Sequence, residues 1–257
     1  MQTPFLTPKV SDGNRHGSSS VQLMTQGGGI VTLPIDLQTS FARYIGRSKI
    51  TWLKRFSVGQ IYQEEKGSRT IHPKCSSELA FDIVTPSPAC VLSDAEVITA
   101  VADILHDHRL RMQRPLSLQI SHRLLLEAVL IHCGVAEDKR QDFCHILKAC
   151  SRSENHIRSR ASKLALSTQS VEMLLPLLDV EGSAVKMKAA LAHLLNAKGE
   201  AAKLAAQALR DIDDIVAHAE NMGLKLECTL LIDLAVQNHH LYSGIIFQFI
   251  CRPKSRK

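Results

Sequence analysis

Histidines that stand beside a second histidine, an aspartate or a cysteine are the residues whose types could bind a metal ion. They form three short groups: His106, Asp107 and His108; His132 and Cys133; His239 and His240. The first group lies in a helical pattern, where residues two apart point roughly 200° from one another around the axis. Two such side chains need another element to hold an ion, and no CxxC pair occurs in the chain. The spacing therefore predicts histidines on helix surfaces and no metal site.

Three consecutive glycines, Gly27 to Gly29, are the nearest approach to a phosphate loop. Such a loop needs its glycines at the positive N-terminus of a helix, whereas these precede a strand-like run. They predict a tight turn instead, because glycine adopts positive φ at little steric cost. No serine stands in a GxSxG pattern and no cysteine has the setting of a nucleophile, so acyl-transfer chemistry is not indicated. No cofactor is expected.

Basic residues give the chain a mild preference for acidic partners. Lysine and arginine number 31 against 25 acidic residues, a formal net charge of +6. A basic surface attracts polyanions whatever their sequence, although an unclustered excess is as often an ordinary solvated surface. One cluster of cations and a histidine lies between residues 54 and 74, in a predicted strand and the loop that follows it. It consists of Lys54, Arg55, Lys66, Arg69, His72 and Lys74.

The composition is that of an ordinary folded protein. Of the 257 residues, 45% are apolar and 22% are charged, which allows a sizeable core. No run reaches the roughly 18 to 20 apolar residues that a membrane span needs, and the first residues lack the build of a signal peptide. The seven cysteines are odd in number and scattered, as is typical of reduced thiols. We therefore expect a protein of the cytosol or nucleus, with the cytoplasm favoured, and no membrane association.

The first third of the chain predicts hairpins and one helix. Residues 1–20, rich in Pro, Ser and Gly, predict a flexible segment, and residues 21–33 predict a hairpin about the three glycines. Apolar residues at helical spacing predict a helix over 37–47, with Asp36 as its N-terminal cap. Residues 52–65 and 78–85 are rich in strand formers and predict two antiparallel strands joined by a long loop.

From Ser93 onward the pattern is mainly helical. Ser93 and Glu96 have the spacing of a capping box, which predicts a helix that opens at Ser93. A short strand at 116–120 is followed by amphipathic helices over 122–222, and strand character returns in 226–236 and 243–252. This order predicts an α+β fold. The expected domains are a core over 21–118, a helical insertion over 119–200 and a returning core segment over 201–257.

Several strings, from about residue 21 to 251, resemble the histidyl-tRNA synthetases, which have the class II aminoacyl-tRNA synthetase fold. The resemblance is strongest to the synthetase-like regulatory domain of the amino-acid-starvation kinases that phosphorylate initiation factor two alpha. The shared strings are FARY (41–44), LKR (53–55), HPK (72–74), AFDIVT (80–85), IHCG (131–134) and GIIFQF (244–249). The resemblance implies an antiparallel sheet with flanking helices and a helical insertion, incomplete at both ends.

The same resemblance implies a histidine pocket. Asp36 matches the family's acidic residue for the α-amino group, Asp82 matches an acidic residue of the pocket, and Tyr242 matches the second tyrosine of the histidine motif. Glu78 replaces a glutamine that binds histidine in the family, and Gln38 replaces a threonine. We expect a vestigial pocket formed by Asp36, Glu78, Asp82 and Tyr242.

Residues that the family needs for adenylation are missing. Gln63 occupies the position of the arginine that binds ATP at the second class motif, and it carries no charge. Residues 236–241 replace the arginine, glycine, leucine and aspartate of the histidine motif, and the third class motif does not occur in the chain. Loss of one such cation costs about 2.7 to 4 kcal/mol of transition-state stabilisation. The sequence therefore predicts a pseudo-synthetase rather than an enzyme.

The function that the resemblance favours is sensing of uncharged tRNA in a kinase that controls translation initiation. The candidate tRNA contacts are Lys54, Arg55, Tyr62, Lys66, Arg69, His72 and Lys74. Expected partners are uncharged tRNA, a kinase domain of the same or a longer chain, and a second copy in a homodimer. Kinase signature motifs do not occur in this sequence, so kinase activity belongs to residues outside it. Two alternatives stay open: a protein-docking or dimerisation module without RNA binding, and, less favoured, an active histidyl-tRNA synthetase.

Overall fold

Two units make up the chain in the computed structural model, residues 1–93 and residues 94–257. The structure describes residues 4–8, 20–64, 72–86, 91–112, 116–149, 154–178, 180–224, 229–234 and 243–251. Within these ranges, no helix is long and apolar enough to cross a membrane.

The first unit contains a small three-stranded sheet, one helix and a long hairpin. Its elements are β1 (Thr7–Pro8), β2 (Gln22–Met24), β3 (Ile30–Thr32), α1 (Gln38–Ser48), β4 (Leu53–Gln63) and β5 (Lys74–Val84). The predicted hairpin at 21–33 is confirmed, since β2 and β3 pair antiparallel and Gly28 adopts a φ of 79° in the turn. The sequence did not predict β1, which pairs with β3 and whose Thr7 hydroxyl lies 2.9 Å from that of Thr32.

The hairpin of β4 and β5 has two faces of different chemistry. The strands pair antiparallel, as the sequence predicted, and run from Leu53 opposite Val84 to Gln63 opposite Lys74. The second strand begins at Lys74, earlier than the predicted start at residue 78. Because side chains alternate along a strand, odd-numbered residues of β4 share a face with even-numbered residues of β5. We call this the inner face, since a Cβ added to Gly59 would lie 3.0 Å from Leu37 Cδ2, just before α1. The opposite side is called the outer face.

The second unit is mainly helical. Its elements are α2 (Val91–Met112), β6 (Leu116–His122), α3 (Arg123–His132), α4 (Glu137–Ala149), α5 (Glu154–Lys163), α6 (Thr168–Leu178), β7 (Glu181–Gly182), α7 (Ala184–Ala190), α8 (Ala192–Asn196), α9 (Glu200–Asn221), β8 (Thr229–Asp233) and β9 (Ile245–Cys251). Helix α2 begins at Val91, so Ser93 lies inside its first turn and the predicted cap at Ser93 is wrong.

The second sheet has the order β7-β8-β6-β9. Strands β7 and β9 run antiparallel to their neighbours, but β6 and β8 run parallel, which the sequence did not predict. Parallel strands need a long crossover connection, and helices α3 to α9 supply it. Helix α3 packs against α9, and Leu125, Val129 and Ile215 are fully buried. Helices α3 and α9 thus contribute to the core of the second unit.

A buried histidine joins β6 to α3. The Leu124 N–H donates to His122 Nδ1 (3.1 Å), so the imidazole caps the helix. His122 Nε2 lies 3.4 Å from Asp211 Oδ2 of α9. Burial lowers the pKa of His122, and the nearby Asp211 carboxylate opposes this shift. Burial and Asp211 together raise the pKa of Asp94, on α2.

Candidate functional site

Three of the four predicted pocket residues come together in the first unit, where the start of α1 meets the inner face of the hairpin. The Leu37 N–H donates to Glu78 Oε2 (3.3 Å), and Leu37 O accepts from Arg55, which pairs with Asp82. Asp36 directly precedes Leu37. The backbone of Leu37 therefore connects the start of α1, with Asp36, to the hairpin, with Glu78 and Asp82. Tyr242 lies outside the described residues.

Asp36 is engaged by its own helix. Its Oδ1 accepts from the Thr39 N–H (2.6 Å) and its Oδ2 accepts from Thr39 Oγ1 (2.8 Å). Both oxygens satisfy donors of the first turn of α1, where a negative charge also meets the positive end of the helix dipole. Asp36 accepts a backbone N–H at the start of α1 as predicted, from one residue before Leu37, which occupies the N-cap position. A ligand's ammonium group would compete with this contact.

Arg55 neutralises Asp82 inside the pocket. Arg55 Nε donates to Asp82 Oδ2 (2.8 Å), and its guanidinium carbon lies 3.5 Å from the centroid of the Phe41 ring. Only 9% of the Arg55 side chain and 15% of the Asp82 side chain are exposed. Arg55 Nη1 is buried, and no described residue accepts a hydrogen bond from it. The sequence predicted Arg55 as a tRNA contact; in the structure its side chain is largely buried and pairs with Asp82.

Glu78 adds a third carboxylate to this site. Burial raises the pKa of Glu78 most, Asp36 and Asp82 raise it further by repulsion, and the Leu37 N–H opposes the shift. Three carboxylates face one guanidinium, so the site has a net charge of −2 when all are ionised. A neutral glutamine at this position, as the resemblance implies for the family, would remove one of these charges.

The arrangement favours structure over catalysis. Asp36, Glu78 and Asp82 each have an internal partner. Glu78 and Arg55 link the start of α1 to the hairpin through the backbone of Leu37. Gln63, at the end of β4, is exposed and its partners are backbone: it pairs with Lys74 across the hairpin and bridges to Ser20. No cation stands at that position to orient a phosphate. Residues 236–241, which lack the family's second cation, lie outside the described residues.

The predicted tRNA contacts are spread around the hairpin. Lys54, His72 and Lys74 are exposed, Lys54 on the outer face and Lys74 on the inner face. Tyr62 is half-buried and its ring meets that of Phe5 edge to face at 5.7 Å. Lys66 and Arg69 lie outside the described residues. The structure therefore places three basic or titratable side chains of this set at the surface.

A groove of about 310 Å³ lies beside α3 and α4 in the second unit. Two of its charged groups have internal partners: Arg140 Nε donates to Val135 O (3.1 Å) and Arg140 Nη1 lies 3.8 Å from Glu127 Oε1. Burial raises the pKa of the Cys144 thiol, which keeps it protonated and unreactive at neutral pH. The groove has no placed nucleophile, and we assign no chemistry to it.

Sequence reasoning missed the roles of Phe41 and Thr39, and it missed the partnership of Arg55 with Asp82. The Arg55–Asp82 partnership follows from the strand register, because in an antiparallel pair two residues directly opposite share a face. Fixing Phe56 opposite Phe81 places Arg55 opposite Asp82. Nothing in the sequence fixed that register, since the long loop between the strands leaves it open.

Comparison with known proteins supports the resemblance to histidyl-tRNA synthetases and to the initiation factor two alpha kinases. The family model described as histidyl-tRNA synthetase matches residues 87–256. The chain is 32% identical over 260 residues to the eIF-2-alpha kinase GCN2 of Mus musculus, covering 99% of this chain and 16% of that protein. It is 24% identical to the cytoplasmic histidine–tRNA ligase of Dictyostelium discoideum, covering 100% of this chain and 53% of that enzyme.

Solved structures agree on the fold. A histidyl-tRNA synthetase from Nostoc superposes with a TM-score of 0.76 at 15% identity, over 98% of this chain and 57% of that one. An ATP phosphoribosyltransferase regulatory subunit/histidyl-tRNA synthetase from Bacillus halodurans gives 0.74 at 18% identity, over 100% and 64%. The α+β class II synthetase-like fold predicted from the sequence is confirmed. With a family match across more than half of its length, the chain belongs to the histidyl-tRNA synthetase family.

Proposed function

We propose that this chain is a non-catalytic, cytoplasmic regulatory domain that senses uncharged tRNA within an initiation factor two alpha kinase. The observation that carries the proposal is that the three carboxylates of the pocket, Asp36, Glu78 and Asp82, all bind groups of the first unit. A synthetase must free such carboxylates for its amino acid. Gln63 adds to this, because a neutral amide cannot replace a bidentate guanidinium on phosphate.

The kinase relatives support the regulatory part of the proposal. The chain is 31 to 32% identical to the eIF-2-alpha kinase GCN2 of human and mouse and covers 99% of its own length in each comparison. It spans 16% of those proteins, so it corresponds to one segment of a much longer chain. The kinase domain is accordingly a partner that this domain would regulate.

RNA binding is supported by the basic residues about the hairpin. Lys54 and Lys74 are exposed at opposite ends and faces of it, and the sequence adds Lys66 and Arg69 between the strands. Phosphate contacts require only such cations and carry no base specificity. Discrimination of charged from uncharged tRNA would then depend on the tRNA end rather than on its sequence.

The test is a titration of the 257-residue chain with one tRNA in its uncharged and aminoacylated forms. At an ionic strength of about 0.15 M, the uncharged form should bind more tightly. Replacing Lys66, Arg69 and Lys74 with Ala should weaken binding. It should also lower the slope of log affinity against log salt by about one for each phosphate that the variant no longer neutralises.

A matched control removes three exposed cations of the second unit, Lys198, Lys203 and Arg210. This variant has the same net charge as the first but should keep the affinity and the salt slope. Equal weakening by both triple variants, with no preference for uncharged tRNA, would show generic attraction and would favour the protein-docking alternative. Histidine-dependent pyrophosphate exchange by the folded chain would instead reveal an active synthetase.

A further inference from the structure

Two histidine rings from different helices meet in the second unit. His132 is the last residue of α3, and His193 lies in the first turn of α8. Their ring centroids are 5.5 Å apart, and the ring planes are inclined by 58° to one another. The sequence predicted no metal site at His132, because neighbouring side chains of one helix need a ligand from another element. In the structure, α8 brings such a ligand to His132.

Both rings have nitrogen atoms that an ion could reach. His132 is half-buried and His193 is exposed. Apart from the contact between the two rings, no described residue forms a hydrogen bond or an ion pair with either imidazole. A neutral imidazole has one nitrogen whose lone pair can bind a metal ion. The pair therefore offers two nitrogen ligands.

Core packing fixes the backbone on both sides of the pair. Cys133, next to His132, is 3% exposed, and Leu194, next to His193, is 1% exposed. Helices α3 and α8 both pack against α9. A rigid support reduces the entropy that is lost when a ligand binds. Helix α9 thus holds the two imidazoles close together before any ion arrives.

The separation of the rings fits a shared ion. For Zn–N bonds of about 2.0 to 2.1 Å and tetrahedral coordination, two imidazole centroids on one ion lie about 5.2 Å apart. The observed 5.5 Å therefore requires only a small shift and a rotation of the rings. Among the described residues, no third His, Cys, Asp or Glu side chain completes a metal site here. Water would fill the remaining positions, so the ion would be exchangeable, unlike an ion enclosed by four protein ligands.

We propose that His132 and His193 together bind a divalent ion of the borderline class, Zn²⁺ foremost, and that this ion joins α3 to α8. Imidazole nitrogen suits Zn²⁺ and Ni²⁺, whereas Mg²⁺ and Ca²⁺ prefer oxygen ligands. An ion held by both helices binds the folded chain and not the unfolded one, so it stabilises the second unit. This site is independent of tRNA sensing, and neither proposal requires the other.

Thermal unfolding tests the site, followed by circular dichroism because the second unit is mainly helical. All proteins carry Cys75→Ser, which removes an exposed thiol that could bind zinc on its own. At about five times its Kd, Zn²⁺ should raise the unfolding midpoint by roughly 2 to 4 °C relative to the same protein in EDTA. Ni²⁺ should also raise the midpoint, and Mg²⁺ should leave it unchanged.

Four variants separate ligation from packing of the rings. His132→Ala and His193→Phe should each abolish the rise with Zn²⁺; the phenylalanine keeps the ring contact, so in EDTA this variant should unfold near the native midpoint. His193→Cys loses the ring but keeps a zinc ligand, and it should retain most of the rise. His156→Ala, the matched control, removes an exposed histidine of α5 and should leave the rise unchanged.

Three results would overturn the proposal. The first is no saturable rise with the intact pair. The second is a rise that persists in both His132→Ala and His193→Phe, since the ion would then bind elsewhere in the chain. The third is loss of the rise in His193→Cys as well as in His193→Phe, because the ring and not a metal ligand would then be required. None of these results bears on tRNA sensing, which the tRNA titration tests separately.

Discussion

Replacing Arg55 with Met should destabilise the first unit strongly. The methionine keeps an apolar stem against Phe41 but removes the guanidinium that pairs with Asp82. Both side chains are largely buried, at 9% and 15% exposure, and removal of one partner of a buried pair costs about 3 to 5 kcal/mol. Glu78 increases the effect, because without Arg55 no cation of the described residues is paired with any of the three neighbouring carboxylates.

The effect of Asp82→Asn on the free energy of unfolding should differ in sign between the native chain and the Arg55→Met variant, which makes this prediction specific. In the native chain, Asp82→Asn should cost about 1 to 3 kcal/mol, since it weakens a charge-assisted hydrogen bond and leaves a buried cation. In the Arg55→Met background, the same change removes an unpaired buried charge and should be neutral or stabilising. The two effects therefore differ in sign, and the coupling should be about 1 to 3 kcal/mol.

Urea unfolding followed by Trp52 fluorescence measures these changes, because the single tryptophan lies in the first unit. With a slope of about 1 to 3 kcal/mol per molar urea, a loss of 3 to 5 kcal/mol lowers the midpoint by roughly 2 M. Lys74→Met is the control, since Lys74 is exposed and its loss should change stability by less than about 0.5 kcal/mol. A loss below about 1 kcal/mol for Arg55→Met, or equal costs of Asp82→Asn in both backgrounds, would refute the reasoning.

Three further predictions concern the carboxylate site, the capping histidine and the lost cation. The raised pKa of Glu78 means that its contribution to the stability of the first unit is complete below about pH 4.3 and is lost as pH rises through the folded pKa. Glu78→Gln should therefore stabilise the first unit at pH 7.5 but not at pH 4, as measured by urea unfolding followed by Trp52 fluorescence. The lowered pKa of His122 has the opposite effect on stability: its contribution is complete above about pH 6.5 and is lost as pH decreases through the folded pKa. His122→Asn keeps a capping acceptor but does not titrate, so it should flatten the pH dependence of helix melting measured by circular dichroism. Gln63→Arg should not produce histidine-dependent pyrophosphate exchange, because the pocket carboxylates stay bound internally; measurable exchange would show that the missing cation alone blocks catalysis.

Local sequence patterns predicted most of the first unit. Glycines in the turn, apolar residues at helical spacing and Asp36 before them gave β2, β3 and α1 within one or two residues. Each of these signals involves neighbours in sequence, where propensity and capping decide the structure. The start of α2 was misplaced because Ser93 and Glu96 have cap spacing but lie inside the helix, which already includes Val91.

Pairing between distant strands was beyond the sequence patterns. Parallel alignment of β6 with β8 depends on the path of some hundred intervening residues, and no short motif encodes it. The same limit applied to the pocket. Asp36, Glu78 and Asp82 were identified through a family resemblance, but the cation that neutralises them was assigned to RNA, since a basic residue in sequence does not reveal which face it occupies.

The register of the β4–β5 hairpin determines which side chains lie on its inner face and which lie on its outer face. In the observed register, Arg55 reaches Asp82 on the inner face, and the same alternation places Trp52, Lys54 and Phe56 outward. A shift of β4 by one residue would put Lys54 and Phe56 against α1 and bring Arg55 into solvent. The Arg55–Asp82 pair opposes that shift, because it would leave the buried carboxylates without a cation. The Arg55–Asp82 pair therefore helps to hold the observed register of the hairpin, and this contribution needs no ligand.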